Sequence, residues 1–201
     1  MASRRVVILI HGVHSGEQKS LDWFEPLADA IRYVSPSTTV VFFMYGWTAG
    51  VSVRFPGIGK MVRRHLVRKL QKAVARLVET HGAEAEIDAI AHSFGTWLLH
   101  RSMTAGRNAR WHCFYRRLVY MGGVVSSRET FENEAGHFAR VLNLYSRGDD
   151  VVRLAPFGHC GTKGFSRAPA PVVSVDLTPI NHRDYTGPGE AWSHAVPFLT
   201  S

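Results

Sequence analysis

Ser93 stands in Ala91-His92-Ser93-Phe94-Gly95, directly after the apolar run Ile87-Asp88-Ala89-Ile90 and directly before Thr96-Trp97-Leu98-Leu99. This pattern predicts a strand, a sharp turn and a helix, with a serine at the apex. A serine hydroxyl is a poor nucleophile until the backbone presents it to a base and to hydrogen-bond donors for a developing oxyanion. A tight strand-to-helix turn does this, and it needs small residues two places to either side so that the helix can pack on the strand. Ala91 and Gly95 meet that steric need, with Ala91 standing where the pattern ordinarily has glycine. The same serine would equally serve as a helix N-cap. The second candidate region is N-terminal. Arg5-Val6-Val7-Ile8-Leu9-Ile10 reads as a strand buried on both faces and runs into His11-Gly12-Val13-His14-Ser15-Gly16. Gly12 lets the backbone turn tightly and aim N–H groups into the space above the strand's carboxyl end. A plain turn with His11 as a hydrogen-bonded structural residue fits these residues too.

With both loops present, the chain resembles the α/β-hydrolase family of serine esterases and lipases. The resemblance implies that the His11-Gly12 loop supplies half of an oxyanion hole, formed by the backbone N–H groups of Val13 and Phe94. It also implies an acid in a turn after a late strand. Arg140-Val141-Leu142-Asn143-Leu144-Tyr145-Ser146 reads as that strand, and Asp149-Asp150-Val151-Val152 follows in the expected register. This favours Asp149, with Asp150 as the rival. The family's histidine lies beyond the last strand, here Val172-Val173-Ser174-Val175, and His182 in His182-Arg183-Asp184-Tyr185 matches. His194 falls in a terminal helix and reads as structural. The order Ser93, Asp149, His182 is the order of this fold rather than that of the two serine-protease arrangements.

The elements that must hold these residues alternate. Leu21 to Tyr33 reads as a helix with Ser20 as its cap, Thr39 to Tyr45 as a strand, and Gly46 to Pro56 as a loop. Gly59 to Thr80 reads as a long helix, Phe94 to about Ala105 as another, Arg117 to Val125 as a strand, and Arg128 to Ala139 as helical. Counting the strands before Ser93, Asp149 and His182, the expectation is about six mostly parallel strands with helices on both faces. Such a sheet places ligands at the carboxyl ends of its strands, where every candidate falls. Only about fourteen residues separate Val125 from Arg140, too few for a large lid. The Gly- and Pro-containing stretch from Val151 to Pro171 is the longest loop and is expected to flank the site. Tyr45, Trp47, Phe55 and Trp97 are candidates to line an acyl pocket, although core packing explains such aromatics as well.

Composition agrees with one globular α/β domain spanning residues 1–201, since 45% of residues are hydrophobic and 20% charged. The apolar run before His11 is too short for a signal peptide, and no stretch reaches membrane-spanning length, so a cytoplasmic protein is expected. Cys113 and Cys160 can both be free thiols in that compartment. No cofactor is called for. Gly57-Ile58-Gly59-Lys60 lacks the spacing of a phosphate loop, and none of the eleven histidines falls in a metal-binding motif.

Charge is the other informative feature. The net charge is +8, and Arg54 to Arg76 carries eight Lys and Arg residues with no Asp or Glu. Val62, Leu66, Leu70, Val74 and Leu77 recur at helical spacing, which gives that helix one apolar and one strongly basic face. The basic face from Lys60 to Arg76 is either a solvated surface or a point of attraction for anionic lipid. No nucleic-acid-binding motif accompanies it. The reading as a whole is a lidless serine hydrolase that cleaves a carboxylic ester. Thioesterase, acyltransferase or peptidase chemistry on the same residues is the near alternative, and a non-catalytic binding protein using its basic face is the distant one. The oligomeric state is not encoded in any of these patterns.

Overall fold

A computed structural model describes residues 5–13, 17–45, 56–104, 114–132, 134, 136–167, 169 and 171–201, with backbone alone for 17–20 and 56–58. The strands are β1 (Arg5–Ile10), β2 (Thr39–Phe43), β3 (Glu86–His92), β4 (Tyr115–Met121), β5 (Phe138–Tyr145) and β6 (Val172–Asp176). They form one six-stranded sheet in the order β2-β1-β3-β4-β5-β6, and every neighbouring pair is parallel. The described helices are α1 (Glu17–Val34), α2 (Pro56–His81), α3 (Phe94–Thr104), α4 (Asp150–Arg153), α5 (Cys160–Lys163) and α6 (Glu190–Thr200), with a 3-10 turn at Asp184–Thr186.

Alternation along the strands sorts the core into two layers. Ile8, Ile10, Ala89 and Ala91 face Leu66, Leu70 and Val74 of α2 and Phe94, Leu98 and Leu99 of α3. Val7, Leu9, Ile90 and Val119 face Phe24, Leu27 and Ile31 of α1 and Trp192, Ala195 and Leu199 of α6. Burial on both faces explains why β1 and β3 read as nearly continuous apolar runs. The chain leaves β1 towards β2 and then crosses back to β3 on the other side. The switch point of the sheet therefore lies between the carboxyl ends of β1 and β3, where open parallel sheets hold their ligands. His11-Gly12 and Ser93 are the residues at that point.

The six strands and both helical layers match expectation, and the differences are local. The described residues between 128 and 137 form turns rather than a helix, and the last two residues of the expected helix belong to β5. Phe131 explains this: it adopts a left-handed backbone (φ 58°) so that its fully buried ring can pack against Phe138 and Phe165. A bulky residue at positive φ stops a helix. Helix α1 begins before Ser20, which is inside it rather than at its cap. Strand β4 ends at Met121, where Gly122 turns the chain with φ 53°. The stretch after Asp149 contains the short helices α4 and α5 in place of a wholly irregular loop. Trp47, Phe55 and Cys113 lie outside the described residues, and Cys160 is a buried free thiol whose pKa burial pushes up to about 12. No described helix is long and apolar enough to cross a membrane.

Candidate active site

Ser93 has φ 54°, a left-handed conformation rare for a residue with a side chain. Such strain costs about 1–3 kcal/mol and persists only where the surroundings hold it. Here the Ser93 N–H donates to the Met121 carbonyl at 3.0 Å, and the Ser93 carbonyl accepts from the Thr96 N–H at 3.0 Å and the Thr96 hydroxyl at 2.7 Å. The turn is also held by close approach. A Cβ at residue 95 would come within 2.6 Å of the His11 carbonyl oxygen and 2.8 Å of that of Ile10, so the second small position admits only glycine. Ala91 is buried inside the strand, where a methyl group fits. The Ser93 side chain rests on Gly12: a Cβ there would lie 2.9 Å from Ser93 Cβ and 3.3 Å from its Oγ. The strand-end loop and the serine turn thus touch because β1 and β3 are paired neighbours.

Asp149 ends the turn after β5 and is fully buried. Its Oδ1 accepts from the Val152 N–H at 2.9 Å, capping α4, and its Oδ2 lies 2.8 Å from His182 Nδ1. The two orders of control are separable, because α4 orients the carboxylate and the carboxylate orients the imidazole. Asp150, the rival, points outward, with 72% of its side chain exposed and an ion pair to Arg153. His194 is exposed on α6. His182 itself is held by the loop after β6, where the Ser146 hydroxyl donates to the Ile180 carbonyl at 2.6 Å. Ser93, His182, Val13 and Phe94 all line one cleft of about 690 Å³, whose far wall is built by Leu154 and Phe157 of the stretch after Asp149.

Two histidines of the site are locked neutral. His11 Nδ1 donates to the Gly12 carbonyl at 2.7 Å, and its Nε2 accepts from the Tyr45 N–H at 3.3 Å. Its ring stacks on Tyr45 at 3.9 Å, and the Tyr45 hydroxyl donates to the His11 carbonyl. Burial lowers its pKa to about 4. His11 and Tyr45 are therefore structural, and they shape the strand-end loop. His92 has its pKa lowered to about 3 by burial and by nearby His182. Its Nε2–H donates to the His182 carbonyl at 3.1 Å, and its ring lies 4.6 Å from that of His182. His92 thus braces the loop that carries His182. The only linear signal of this role is a histidine adjoining the turn serine.

Trp97 and Phe157 form a ridge between the cleft and a second depression of about 630 Å³. That groove is lined by Lys60, Arg63, Arg64 and Arg68 of α2 and by Arg101 of α3. The Arg63 guanidinium lies 5.5 Å from the Phe157 ring centre, and that of Arg101 lies 5.8 Å from Trp97. The basic face foreseen on α2 therefore reaches the rim of the cleft, and Trp97, half-buried against the core, also lines this rim.

The sequence matches no family model and no curated protein. Comparison of structures gives a clear answer about the fold, which is that of the α/β-hydrolases. The chain is similar to esterase PE8 (TM-score 0.62, 16% identity, covering 98% of this chain and 92% of that one). It is also similar to a carboxylesterase from Mesorhizobium loti (TM-score 0.58, 17% identity, covering 100% and 90%). A third likeness is to the RedJ thioesterase of prodiginine biosynthesis from Streptomyces coelicolor (TM-score 0.57, 12% identity, covering 99% and 86%).

Proposed function

We propose that the protein is a serine hydrolase that cleaves a carboxylic ester, with Ser93 as nucleophile, His182 as base and Asp149 as orienting acid. The observation that carries this reading is the 2.8 Å contact between His182 Nδ1 and a fully buried Asp149 carboxylate, in the same cleft as a serine held at positive φ. Asp149 keeps the proton on Nδ1, which leaves Nε2 as the acceptor. Ser93 Oγ attacks the acyl carbon while its proton passes to His182 Nε2. The carbonyl oxygen becomes an oxyanion, which the N–H groups of Val13 and Phe94 receive; each such donor is typically worth about 10²–10³ in rate. Collapse breaks the ester C–O bond, and His182 returns the proton to the departing alkoxide. Water, deprotonated by the same imidazole, then releases the acid from the acyl-enzyme.

The structural neighbours include esterases and a thioesterase, so the leaving group is the part of this proposal that most needs a direct test. A fluorophosphonate probe should label the wild type and not Ser93→Ala, and an ester should turn over faster than the matched thioester or amide. Absence of labelling in folded wild type would overturn the enzyme reading, and a faster thioester would move the substrate class. The basic face of α2 supports a further part of the proposal, attraction to anionic lipid. Lys60, Arg64, Arg68, Lys69, Lys72 and Arg76 are exposed while Leu66, Leu70 and Val74 are buried.

A further inference from the structure

Outside the lining of the cleft, side chains from two separate segments meet. His100 of α3 is almost fully buried, with 4% of its side chain exposed, and it faces Glu129 and Glu134 from the turns between β4 and β5. Its Nε2 lies 3.4 Å from Glu129 Oε2 and 3.6 Å from Glu134 Oε1, and the three atoms lie within 4.8 Å of one another. A charge-assisted N–H···O bond closes to about 2.7–2.9 Å, so both separations are longer than such a bond prefers. A tetrahedral ion with arms of about 2.1 Å holds its ligand atoms about 3.4 Å apart. The two separations from the imidazole are those of ligands around an ion.

The state of Glu134 points the same way. Its side chain is 1% exposed, one oxygen faces the imidazole, and the other, Oε2, has no hydrogen-bond partner among the described residues. A buried carboxylate oxygen without a partner is costly, and two carboxylates here share one imidazole. Glu129 is oriented from outside the group, since its Oε1 accepts from the Thr130 N–H at 3.2 Å. That leaves its Oε2 directed to the cluster, the arrangement that positions a metal-ligating carboxylate. Imidazole and carboxylate together suit zinc and its neighbours rather than calcium or magnesium.

We propose that His100, Glu129 and Glu134 form a structural site for a divalent transition metal, zinc first among them, with the fourth position filled by Glu134 Oε2 or water. The ion would tie the turns after β4 to helix α3, which begins directly after Ser93. It takes no part in the ester chemistry, and the proposal stands or falls independently of that reading.

The test uses the full-length chain, stripped with a chelator and titrated with zinc chloride by calorimetry and thermal unfolding. Wild type should bind one zinc per chain, with Tm rising by roughly 5–10 °C at a hundredfold excess over Kd. Cobalt(II) in its place should show the visible bands of a tetrahedral nitrogen–oxygen site. Glu134→Gln and Glu129→Gln, the latter at a partly exposed position, should each weaken zinc binding at least about tenfold. His194→Ala, at an exposed histidine, should leave it intact. Absence of binding by folded wild type would overturn the site. So would undiminished affinity in a folded Glu129→Gln variant, which would assign the zinc to surface histidines.

Discussion

Helix α3 separates two groupings of histidine with carboxylate, and they are built in opposite ways. At its start, His182 and Asp149 stand 2.8 Å apart, and the second carboxylate oxygen is satisfied by the Val152 N–H. On its later turns, His100 stands 3.4 and 3.6 Å from two glutamates, and Glu134 Oε2 is unpartnered. The first is a closed hydrogen-bonded pair, which fixes a tautomer and leaves one ring nitrogen to accept a proton. The second is an open set of electron-pair donors. The difference teaches that a buried histidine–carboxylate grouping is read by its distances and its satisfied atoms, because residue types alone do not separate a proton relay from a ligand set.

The comparison breaks most sharply at the serine turn. Ser93→Ala and His182→Ala should each lower ester turnover by at least about 10³-fold, because members of such a unit act together. Both should be measured on protein shown to be folded by circular dichroism. Retained turnover in either would remove the closed pair from catalysis. Next in size, Asp149→Asn should cost about a hundredfold or more while Asp150→Asn stays within about tenfold, since only the buried acid fixes the imidazole tautomer. Steady-state kinetics of the two variants decide this, and the reverse ranking would transfer the role to Asp150.

Stability against pH sharpens the same contrast. His11 and His92 are neutral in the folded chain, with pKa values lowered to about 4 and about 3. In the unfolded chain both take up protons near the ordinary value of about 6.5. Their contribution is therefore complete above that pH and is lost as pH falls towards 4 and then 3. Between pH 7.5 and 5 each ring accounts for roughly 2 kcal/mol of lost stability. Urea unfolding across this range should show the slope, and His92→Asn should flatten it. An unchanged slope in that variant would mean His92 does not stay neutral. The smallest effect belongs to the basic face of α2. Anionic vesicles should bind the protein and neutral ones should not, with the attraction fading over a Debye length of about 8–10 Å as salt rises. Arg63→Glu with Arg64→Glu should weaken binding severalfold and leave turnover of a small soluble ester unchanged. Equal binding to both vesicle types would leave this face as ordinary solvated surface.

Much of the site was legible because its parts are local. A serine between small residues, a glycine after an apolar strand and a Gly-Asp turn each carry their geometry within a few residues, and strand order then places them on one edge of a parallel sheet. The same locality made β1, β3 and the amphipathic helix α2 readable from periodicity. What could not be read was set by packing between distant segments. Phe131 takes a left-handed backbone because its ring is wanted in the core, so an apparently helical stretch becomes turns. His92 braces His182 across ninety positions only because β3 and the loop after β6 end side by side. His100, Glu129 and Glu134 have no metal-binding spacing in the chain, and the fold alone gathers them. The sequence by itself determined the class of sheet, the turn that carries Ser93 and the order of the candidate site residues, since backbone conformation and burial pattern are local properties. Tertiary structure pairs His182 with Asp149 rather than Asp150, because that pairing depends on which carboxylate is buried against the imidazole, and burial belongs to the whole fold.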